Sequence, residues 1–461
     1  MKYVLRMLAN HHRRLAVLLR AAMPSESVAF LLCRRVQAAD VVIYLADEVV
    51  EVNVQDYLRQ THDIASVTPL AMASVAKRAR GKDRVIVMAH LHPMTDVGVE
   101  FSNADHIGNR RSFEFFHRRA SQKEHLAIVW TSNVDECAGL VYPSLGEVVE
   151  LGSVVVVDES TWQQFVPDAE GDKECFDRQA MLLGQSGQRL LGRTTFAIAG
   201  TGGTGSLVSL ASIHHGVRSL TLVDDEVLAE TNMPRIPACV PKDIDRRRKV
   251  DIACEYAIAH APDASVIPLT KHVEHPEVLP YLIAADLIIV CTDNTTSRAY
   301  LNQLAQQYLI PLLDLGVQFT VDKAGNVVNE IGRINLVRPG TPCLWCSGQI
   351  NPTRLAAEAV PKEERQRDGS YLRGIDDPQP SMLAFNMEVV GRGIQVLIGY
   401  LTGLFHQPSN VYEQRSFLQP KGGSMSRNIA KSHREGCVVC GSNGVVGTGA
   451  DVPMNITSRA A

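Results

Sequence analysis

The pattern of apolar and polar positions divides the chain into two regions of different organisation. From residue 173 onward, short apolar runs and helical segments follow one another in repeating order, which predicts a mostly parallel sheet. Before them, apolar runs such as VIVMAH and LGSVVVV predict strands of a separate core. The stretch between the two regions is polar and has no period. We therefore predict an α/β protein with a first domain at 1–152, a linker at 153–172 and a second domain at 173–440.

Four further segments differ from these runs in composition. Charged and apolar residues alternate over 1–24, which predicts an amphipathic helix rather than the unbroken apolar core of a signal peptide. The charged, proline-rich stretch 351–380 predicts a crossing loop, and the apolar stretch 382–403 predicts a long helix. The small, polar residues of 441–461 are expected to be disordered. No apolar run reaches the roughly 18 residues that a membrane span needs, so we expect no membrane partner.

A glycine-rich segment carries the clearest chemical signal. The apolar run 196–199 leads into Gly200, Gly202, Gly203 and Gly205, which open a helical segment. Glycines there permit a tight turn and let a phosphate approach the backbone N–H groups at a helix N-terminus. About 20 residues later, the apolar run LTLV ends at Asp224, where a carboxylate can accept hydrogen bonds from ribose hydroxyls. The pattern predicts a nucleotide site.

The polar residues after this acid favour cleavage of ATP over hydride transfer. Asn232 and Arg235 follow Asp224, Lys249 follows a short charged segment, and the run LIIV leads to Asp293. Cations near the phosphates stabilise the charge that accumulates on a departing pyrophosphate, and an aspartate after a strand can hold Mg²⁺. A nicotinamide oxidoreductase has little use for such groups. The alternative is that Arg235 and Lys249 are solvated surface charges.

Two cysteine pairs predict a structural metal site. Each pair has the C-x-x-C spacing, so that four thiolates can surround one tetrahedral zinc ion and leave no open position for a substrate. A redox dithiol or unrelated core cysteines are the alternatives. The four residues are Cys343, Cys346, Cys437 and Cys440.

The first region holds a different set of metal-ligating residues. His90 and His92 are one residue apart at the end of a predicted strand, so they point the same way, and Asp105 can complete a three-ligand zinc site. A zinc ion with an open position activates water and needs a general base nearby, for which Glu26 is the candidate. The alternative is a pair of surface histidines beside a strand.

With these residues, the second region resembles the ThiF/MoeB-type adenylyltransferases, relatives of ubiquitin-activating enzymes. The resemblance covers roughly 173–440 and includes the segments FDRQAMLLGQSGQRLL and VDDEVLAETNMPR. It implies a Rossmann-like domain that uses ATP and Mg²⁺ to adenylate the C-terminal glycine of a ubiquitin-like or sulfur-carrier protein. The implied nucleotide-binding and catalytic residues are the four glycines, Asp224, Glu226, Asn232, Arg235, Lys249, Asp293 beside the magnesium, and Arg178 reaching across a homodimer interface.

The first region resembles the JAB/JAMM metalloproteases, which have a cytidine-deaminase-like α/β fold and remove or trim ubiquitin-like proteins. The resemblance implies that Glu26 is the base and that Ser102 steadies the tetrahedral intermediate. Nine residues, 93–101, separate His92 from Ser102, where the family usually has seven.

Composition restricts the partners and the compartment. The net charge of −4 and the lack of a dominant basic block argue against nucleic acid as a partner. Ten cysteines without a regular framework indicate a reducing compartment, so we expect a cytoplasmic protein. No cysteine lies between Cys346 and Cys437, where thioester-forming activating enzymes carry their nucleophile, and Cys239 is a minor candidate for that role.

Together these features predict an enzyme that trims or removes a ubiquitin-like protein and adenylates its freed glycine. A separate conjugating enzyme is a further expected partner. The rival functions are sulfur-carrier activation for cofactor synthesis, adenylation of a small molecule or modified tRNA, and a catalytically silent scaffold that binds the modifier.

Overall fold

The computed structural model describes residues 1–157, 162–165, 174–322, 327–360, 380–404, 412–416, 424–428 and 432–454. Contacts within the chain divide it into two compact units. The first unit comprises Met1–Asp158, Trp162–Glu170 and Gly447–Asp451, and the second comprises Glu159–Thr161, Gly171–Val446 and Val452–Ala461. No helix among the described residues is both long enough and apolar enough to cross a membrane.

The first unit is built around a nine-stranded mixed sheet with strand order β11-β10-β1-β3-β2-β6-β7-β8-β9. Its strands are β1 (Lys2–Leu8), β2 (Val28–Ala38), β3 (Val41–Glu51), β6 (Val85–Leu91), β7 (His125–Trp130), β8 (Cys137–Tyr142), β9 (Val149–Glu150), β10 (Ser153–Val157) and β11 (Trp162–Phe165), while β4 (Tyr57–Gln60) and β5 (Ala65–Val67) pair separately. Its helices are α1 (Ala9–Arg20), α2 (Pro69–Lys82) and α3 (Asn103–Arg119).

Side chains of the sheet alternate between two cores. Along β2, Ala29 and Leu31 join the cluster that includes Leu15 and Leu19 of α1. The intervening Phe30 belongs to a second cluster that contains residues of α2 and α3. Because successive residues of a strand point to opposite faces, a strand buried on both sides has a continuous apolar sequence.

Two boundary predictions for this unit were wrong. Only Ala9–Arg20 of the expected N-terminal helix is helical; Lys2–Leu8 forms β1, which pairs in parallel with β3 and β10. The strand predicted from LGSVVVV is present as β10 and is buried along its whole length, but it and its partner β11 belong to the sheet although they fall within the expected linker 153–172. At the N-terminus, pairing and burial of β1 between β3 and β10 outweigh the local alternation of polar and apolar residues.

The second unit contains an eight-stranded sheet with strand order β14-β13-β12-β15-β16-β17-β18-β19. Its strands are β12 (Thr195–Ala199), β13 (Ser219–Val223), β14 (Ser265–Leu269), β15 (Leu287–Val290), β16 (Leu312–Val321), β17 (Val327–Val337), β18 (Tyr412–Ser416) and β19 (Ser424–Asn428). Its helices are α4 (Asp177–Arg193), α5 (Gly203–His214), α6 (Lys249–His260), α7 (Leu279–Ala284), α8 (Thr295–Gln307), α9 (Pro352–Glu358) and α10 (Leu383–Thr402).

The strand order reverses direction between β12 and β15. The chain proceeds outward from β12 through β13 to β14, and then returns to the other side of β12 with β15 and β16, all paired in parallel. The crevice outside the carboxyl ends of strands at such a reversal is the usual ligand site of an open parallel sheet. The predicted parallel arrangement and the long helix α10 are confirmed, while 361–379 of the expected crossing loop lie outside the described residues.

The C-terminal segment differs from the expected disordered tail. Val445 is buried, and Gly447–Asp451 belong to the first unit. Asp451 Oδ2 lies 2.7 Å from Arg34 Nε and 2.8 Å from Arg84 Nη2. Gly449 has φ +53°, and a side chain there would begin 3.1 Å from Leu45 Cδ1. Residues 441–454 are therefore folded, and 455–461 lie outside the described residues.

Candidate functional site

The glycine loop follows β12 directly and bends sharply into α5. Gly200 has φ +86°, and a Cβ atom on Gly205 would lie 1.8 Å from the carbonyl oxygen of Gly200. Neither position accepts a larger residue without displacement of the backbone. A Cβ atom on Gly202 would meet no atom within 4 Å, so the N-terminus of α5 is open for a ligand at this residue.

Asp224 and the charged pair after it line the same edge of the sheet. The Asp224 carboxylate accepts hydrogen bonds from the backbone N–H groups of Thr201 (2.6 Å) and Glu226 (2.9 Å). Burial raises the pKa of Asp224, although these two hydrogen bonds act in the opposite direction. Lys249, the first residue of α6, is buried and forms an ion pair with Glu226. The structure therefore connects Asp224 to the glycine loop and to Lys249 through Glu226.

Arg235 lies over the glycine loop. A Cβ atom on Gly203 would lie 3.2 Å from Arg235 Cδ. Asn232 stabilises the turn just before Arg235, because its side-chain oxygen accepts a hydrogen bond from Ala229 N (3.0 Å). The same Cβ position is 2.6 Å from Asn386 Nδ2. Sequence reasoning missed Asn386, because it lies in the first turn of the apolar helix α10 and has no motif around it.

The remaining predicted residues stand apart from these contacts: Asp293 and Arg178 are exposed, and Cys239 is half-buried. Asp293 follows β15 and precedes Asn294, which caps the N-terminus of α8. Arg178 lies in the first turn of α4 and forms no ion pair with the described residues. Cys239 donates a hydrogen bond to the Ile236 carbonyl, and burial raises the pKa of its thiol. A raised pKa disfavours the thiolate that a thioester-forming residue needs.

The four predicted cysteines converge into one group, which we call the closed cluster (Cys343, Cys346, Cys437 and Cys440). Their sulfur atoms all lie within 4.8 Å of one another, with separations of 3.8 Å for Cys343–Cys437 and 3.4 Å for Cys346–Cys440. These separations exceed a disulfide bond of about 2.05 Å. Four sulfurs at about 2.3 Å from a tetrahedral zinc ion are about 3.8 Å apart, so the donor set fits zinc.

A second group, which we call the open cluster, consists of His90, His92 and Asp105. The two carboxylate oxygens of Asp105 lie 3.2 Å from His90 Nε2 and 3.2 Å from His92 Nε2. His90 Nε2 is buried and has no hydrogen-bond partner among the described residues, although it is close to Asp105. A buried imidazole nitrogen without a partner, beside a second imidazole and a carboxylate, fits a divalent metal such as zinc.

Glu26 adjoins the open cluster. Its Oε1 atom lies 3.8 Å from His92 Nε2, and burial raises the pKa of its carboxyl to about 7. Burial also opposes the ionisation of Asp105, but contacts with His90, His92 and Ser102 lower its pKa. The hydrogen bond to Asp105 raises the pKa of His92. The site thus pairs an ionised carboxylate with a second carboxyl group that can exchange a proton near neutral pH.

Ser102 caps the N-terminus of α3 and orients Asp105. Asp105 N donates to Ser102 Oγ (3.2 Å) and Ser102 N donates to Asp105 Oδ2 (2.7 Å), which together form a capping box. The Ser102 hydroxyl also donates to Asp105 Oδ2 (2.7 Å). The nine-residue loop before Ser102 is held by a hydrogen bond from Ser132 to Asp96 and by another from Gly98 N to Glu136 (2.8 Å). The longer loop therefore leaves the three ligand atoms within 4.8 Å of one another.

The sequence profile of the ThiF family matches residues 176–439, more than half of the chain. This chain belongs to the ThiF family. The matched range contains the glycine loop, Lys249 and three residues of the closed cluster, and it stops one residue before Cys440. The predicted family and its Rossmann-like parallel sheet are therefore confirmed for the second unit.

Individual relatives of this ThiF-family chain match it over shorter stretches. It is 26% identical over 166 residues to the SAMP-activating enzyme E1 of Haloferax volcanii. The matched stretch covers 36% of this chain and 57% of that protein. It is 30% identical over 198 residues to the adenylyltransferase and sulfurtransferase uba4 of Aspergillus niger, covering 40% of each protein. The chain thus spans about half the length of these relatives. The molybdopterin-synthase adenylyltransferase of Escherichia coli is 25% identical over 179 residues, covering 38% of this chain and 68% of that protein.

Solved structures similar to this ThiF-family chain include Escherichia coli MccB with MccA-N7isoASN. The likeness has a TM-score of 0.46 and 18% sequence identity, and it covers 59% of this chain and 76% of that protein.

Proposed function

We propose that the chain adenylates the C-terminal glycine of a ubiquitin-like or sulfur-carrier protein and that its first unit is a JAB/JAMM-like zinc peptidase acting on the same protein. The observation that carries the adenylation half is the arrangement of Arg235 over Gly203, with Lys249 tied to the edge that bears Asp224. The family and the relatives named adenylyltransferases and activating enzymes support it.

In the proposed adenylation step, a carboxylate oxygen of the terminal glycine attacks the α-phosphorus of ATP. A new oxygen–phosphorus bond forms, and the bond to the bridging oxygen breaks, so that its electron pair leaves with pyrophosphate. The N-terminus of α5 binds phosphate oxygens, while Arg235 and Lys249 stabilise the charge on the leaving group. Asp224 binds the ribose, and Asn232 binds the phosphates. Asp293 would hold Mg²⁺, which neutralises phosphate charge when bound. Arg178 acts from the second copy of a homodimer.

In the proposed hydrolysis, water adds to the carbonyl carbon of a glycine, and the bond from this carbon to the amine of the next residue breaks. Glu26 accepts the proton of the water and delivers it to the amine, and Ser102 steadies the tetrahedral carbon centre. His90, His92 and Asp105 would hold zinc, which polarises the carbonyl and activates water when bound. The closed cluster has four protein ligands and would hold zinc for stability only.

ATP–pyrophosphate exchange tests the proposal on the full chain. We expect exchange with a candidate carrier that ends in glycine, and a loss of about 100-fold or more in Arg235→Ala, because one charged donor to the transition state is removed. Arg246→Ala, at an exposed arginine of the same unit, is the matched control and should exchange normally. A carrier with a C-terminal extension should support exchange only while His90 and His92 are intact. No exchange with any carrier would overturn the adenylation half and favour a modifier-binding scaffold.

Sulfur-carrier activation is the second candidate, because two of the relatives are a sulfurtransferase and a molybdopterin-synthase adenylyltransferase by name. The two candidates differ in the acceptor of the adenylated glycine. A thiocarboxylate product would indicate sulfur transfer, whereas an amide or thioester on a conjugating enzyme would indicate protein modification.

A further inference from the structure

A cavity of about 220 Å³ lies beside α3 in the first unit. Phe113 and Tyr142 form an aromatic wall, with ring centroids 4.4 Å apart and both side chains buried. Leu145 also lines the cavity and is 52% exposed. Burying the exposed Leu145 beside this aromatic wall favours an apolar ligand group.

The charged residues of this cavity favour an anion. Arg110 and Lys123 contribute two cations, while Glu114 contributes one carboxylate. Lys123 is fixed by hydrogen bonds to the carbonyls of His117 (2.7 Å) and Ala120 (3.1 Å), which are neutral acceptors. Arg110 forms no ion pair with a carboxylate of the described residues. An apolar group that carries one negative charge therefore complements the cavity.

The cavity and the open cluster both include residues of α3. Asp105 lies in the first turn of α3, and Arg110 follows it by five residues, or about 7.5 Å along the helix axis. His117, which also lines the cavity, lies about 18 Å from Asp105 along the same helix. An extended peptide advances about 3.3 Å per residue, so about two to five residues cover these two distances.

We propose that the cavity binds the C-terminal end of a short peptide extension beyond the scissile bond. The side chain of an apolar last residue enters between Phe113 and Leu145, and its free carboxylate pairs with Arg110. The inference rests on the proposed peptidase function of the first unit and specifies its substrate: a precursor whose extension has about two to five residues and an apolar terminus.

The test compares two peptides, Gly-Ser-Gly-Ser-Leu with a free carboxylate and the same sequence with a C-terminal amide. Their binding to the full chain is measured by calorimetry. We expect the acid to bind about tenfold more tightly, because a charge-assisted hydrogen bond is lost with the amide. Arg110→Gln should remove this preference, and Arg111→Gln, an exposed neighbour outside the cavity, should retain it.

Equal affinities of acid and amide, no binding of either, or an equal effect of the two arginine variants would overturn the inference. Hydrolysis of extended carriers is followed separately. Carriers that are cleaved equally fast with either terminus would leave the peptidase function intact and contradict the cavity's role. Retained preference for the acid in a chain that cleaves no carrier would contradict the peptidase function and support the binding site.

Discussion

The two units of the chain each gather metal-ligating side chains, and they do so in opposite ways. The closed cluster joins two C-x-x-C pairs and surrounds its centre with four sulfurs. The open cluster brings together three side chains that can ligate a metal, and an acid stands 3.8 Å from one of them. Four protein ligands complete a tetrahedral ion, whereas three leave one position for another molecule. The number of ligands thus separates a site that stabilises a fold from one that can act on a substrate.

The largest expected effect comes from removing one cysteine ligand of the closed cluster. Cys346→Ser should remove one equivalent of zinc and destabilise the second unit, because about 10 kcal/mol of metal-binding free energy is shared with folding in such sites. Zinc content by mass spectrometry and calorimetric unfolding measure both effects. Cys175→Ser, at an exposed cysteine outside the cluster, is the control. Unchanged zinc and unfolding in Cys346→Ser would contradict a structural metal site.

The open cluster should respond differently. His92→Ala should remove one equivalent of zinc and lower hydrolysis of an extended carrier by at least about 100-fold, since a direct ligand matters more than the residues that orient it. The unfolding of the second unit and ATP–pyrophosphate exchange should not change. His106→Ala alters a neighbouring histidine that is not a ligand and should behave like the wild type. Loss of both zinc equivalents in His92→Ala would show that the clusters are not independent.

Chelation should separate the two clusters by order of metal loss. Dialysis against a chelator should first remove the metal held by three ligands, and hydrolysis should stop while the second unit keeps its unfolding temperature. Zinc content, hydrolysis and unfolding are measured in the same samples over time. Simultaneous loss of zinc from both sites would contradict the proposed difference between the open and the closed cluster.

The smallest effect concerns the ion pairs of the C-terminal segment. Asp451→Asn should lower the stability of the first unit by about 1 kcal/mol, as expected for a partly exposed pair. Although burial disfavours ionisation, Arg34 and Arg84 hold the pKa of Asp451 below its usual value. Its contribution is therefore present above the unfolded pKa and is lost as pH falls through the folded pKa.

Urea unfolding of the wild type and Asp451→Asn at several pH values measures this difference. Asp40→Asn, an exposed acid of the same unit, should have no such effect. If the difference in unfolding free energy between the wild type and Asp451→Asn grew as the pH fell, the result would contradict a stabilising ion pair at Asp451.

Sequence reasoning was most successful where chemistry is encoded locally. The glycine spacing fixes the turn into α5, because Gly205 has no room for a side chain beside Gly200. The two C-x-x-C pairs likewise predict their own convergence, since metal chemistry makes each pair one half of a site. Such signals need only a few neighbouring residues.

Sequence reasoning failed where distant segments decide the structure. Lys2–Leu8 is a strand because β3 and β10 supply partners on both sides, and neither partner is visible in the local pattern. Asn386 reaches the glycine loop only because α10 packs there. Asp451 has two arginine partners that precede it by 417 and 367 residues. Local propensity carries no information about contacts at such separations.

The C-terminal segment also has a consequence for the order in which the protein is completed on the ribosome. Arg84 leaves the exit tunnel 367 residues ahead of Asp451. At about 5 to 20 residues per second, translation needs roughly 20 to 70 seconds to cover that distance. Throughout this interval the nascent first unit holds two arginines whose final carboxylate has not been synthesised. The unit that emerges first is therefore finished only after residues 171–446 of the second unit have been made.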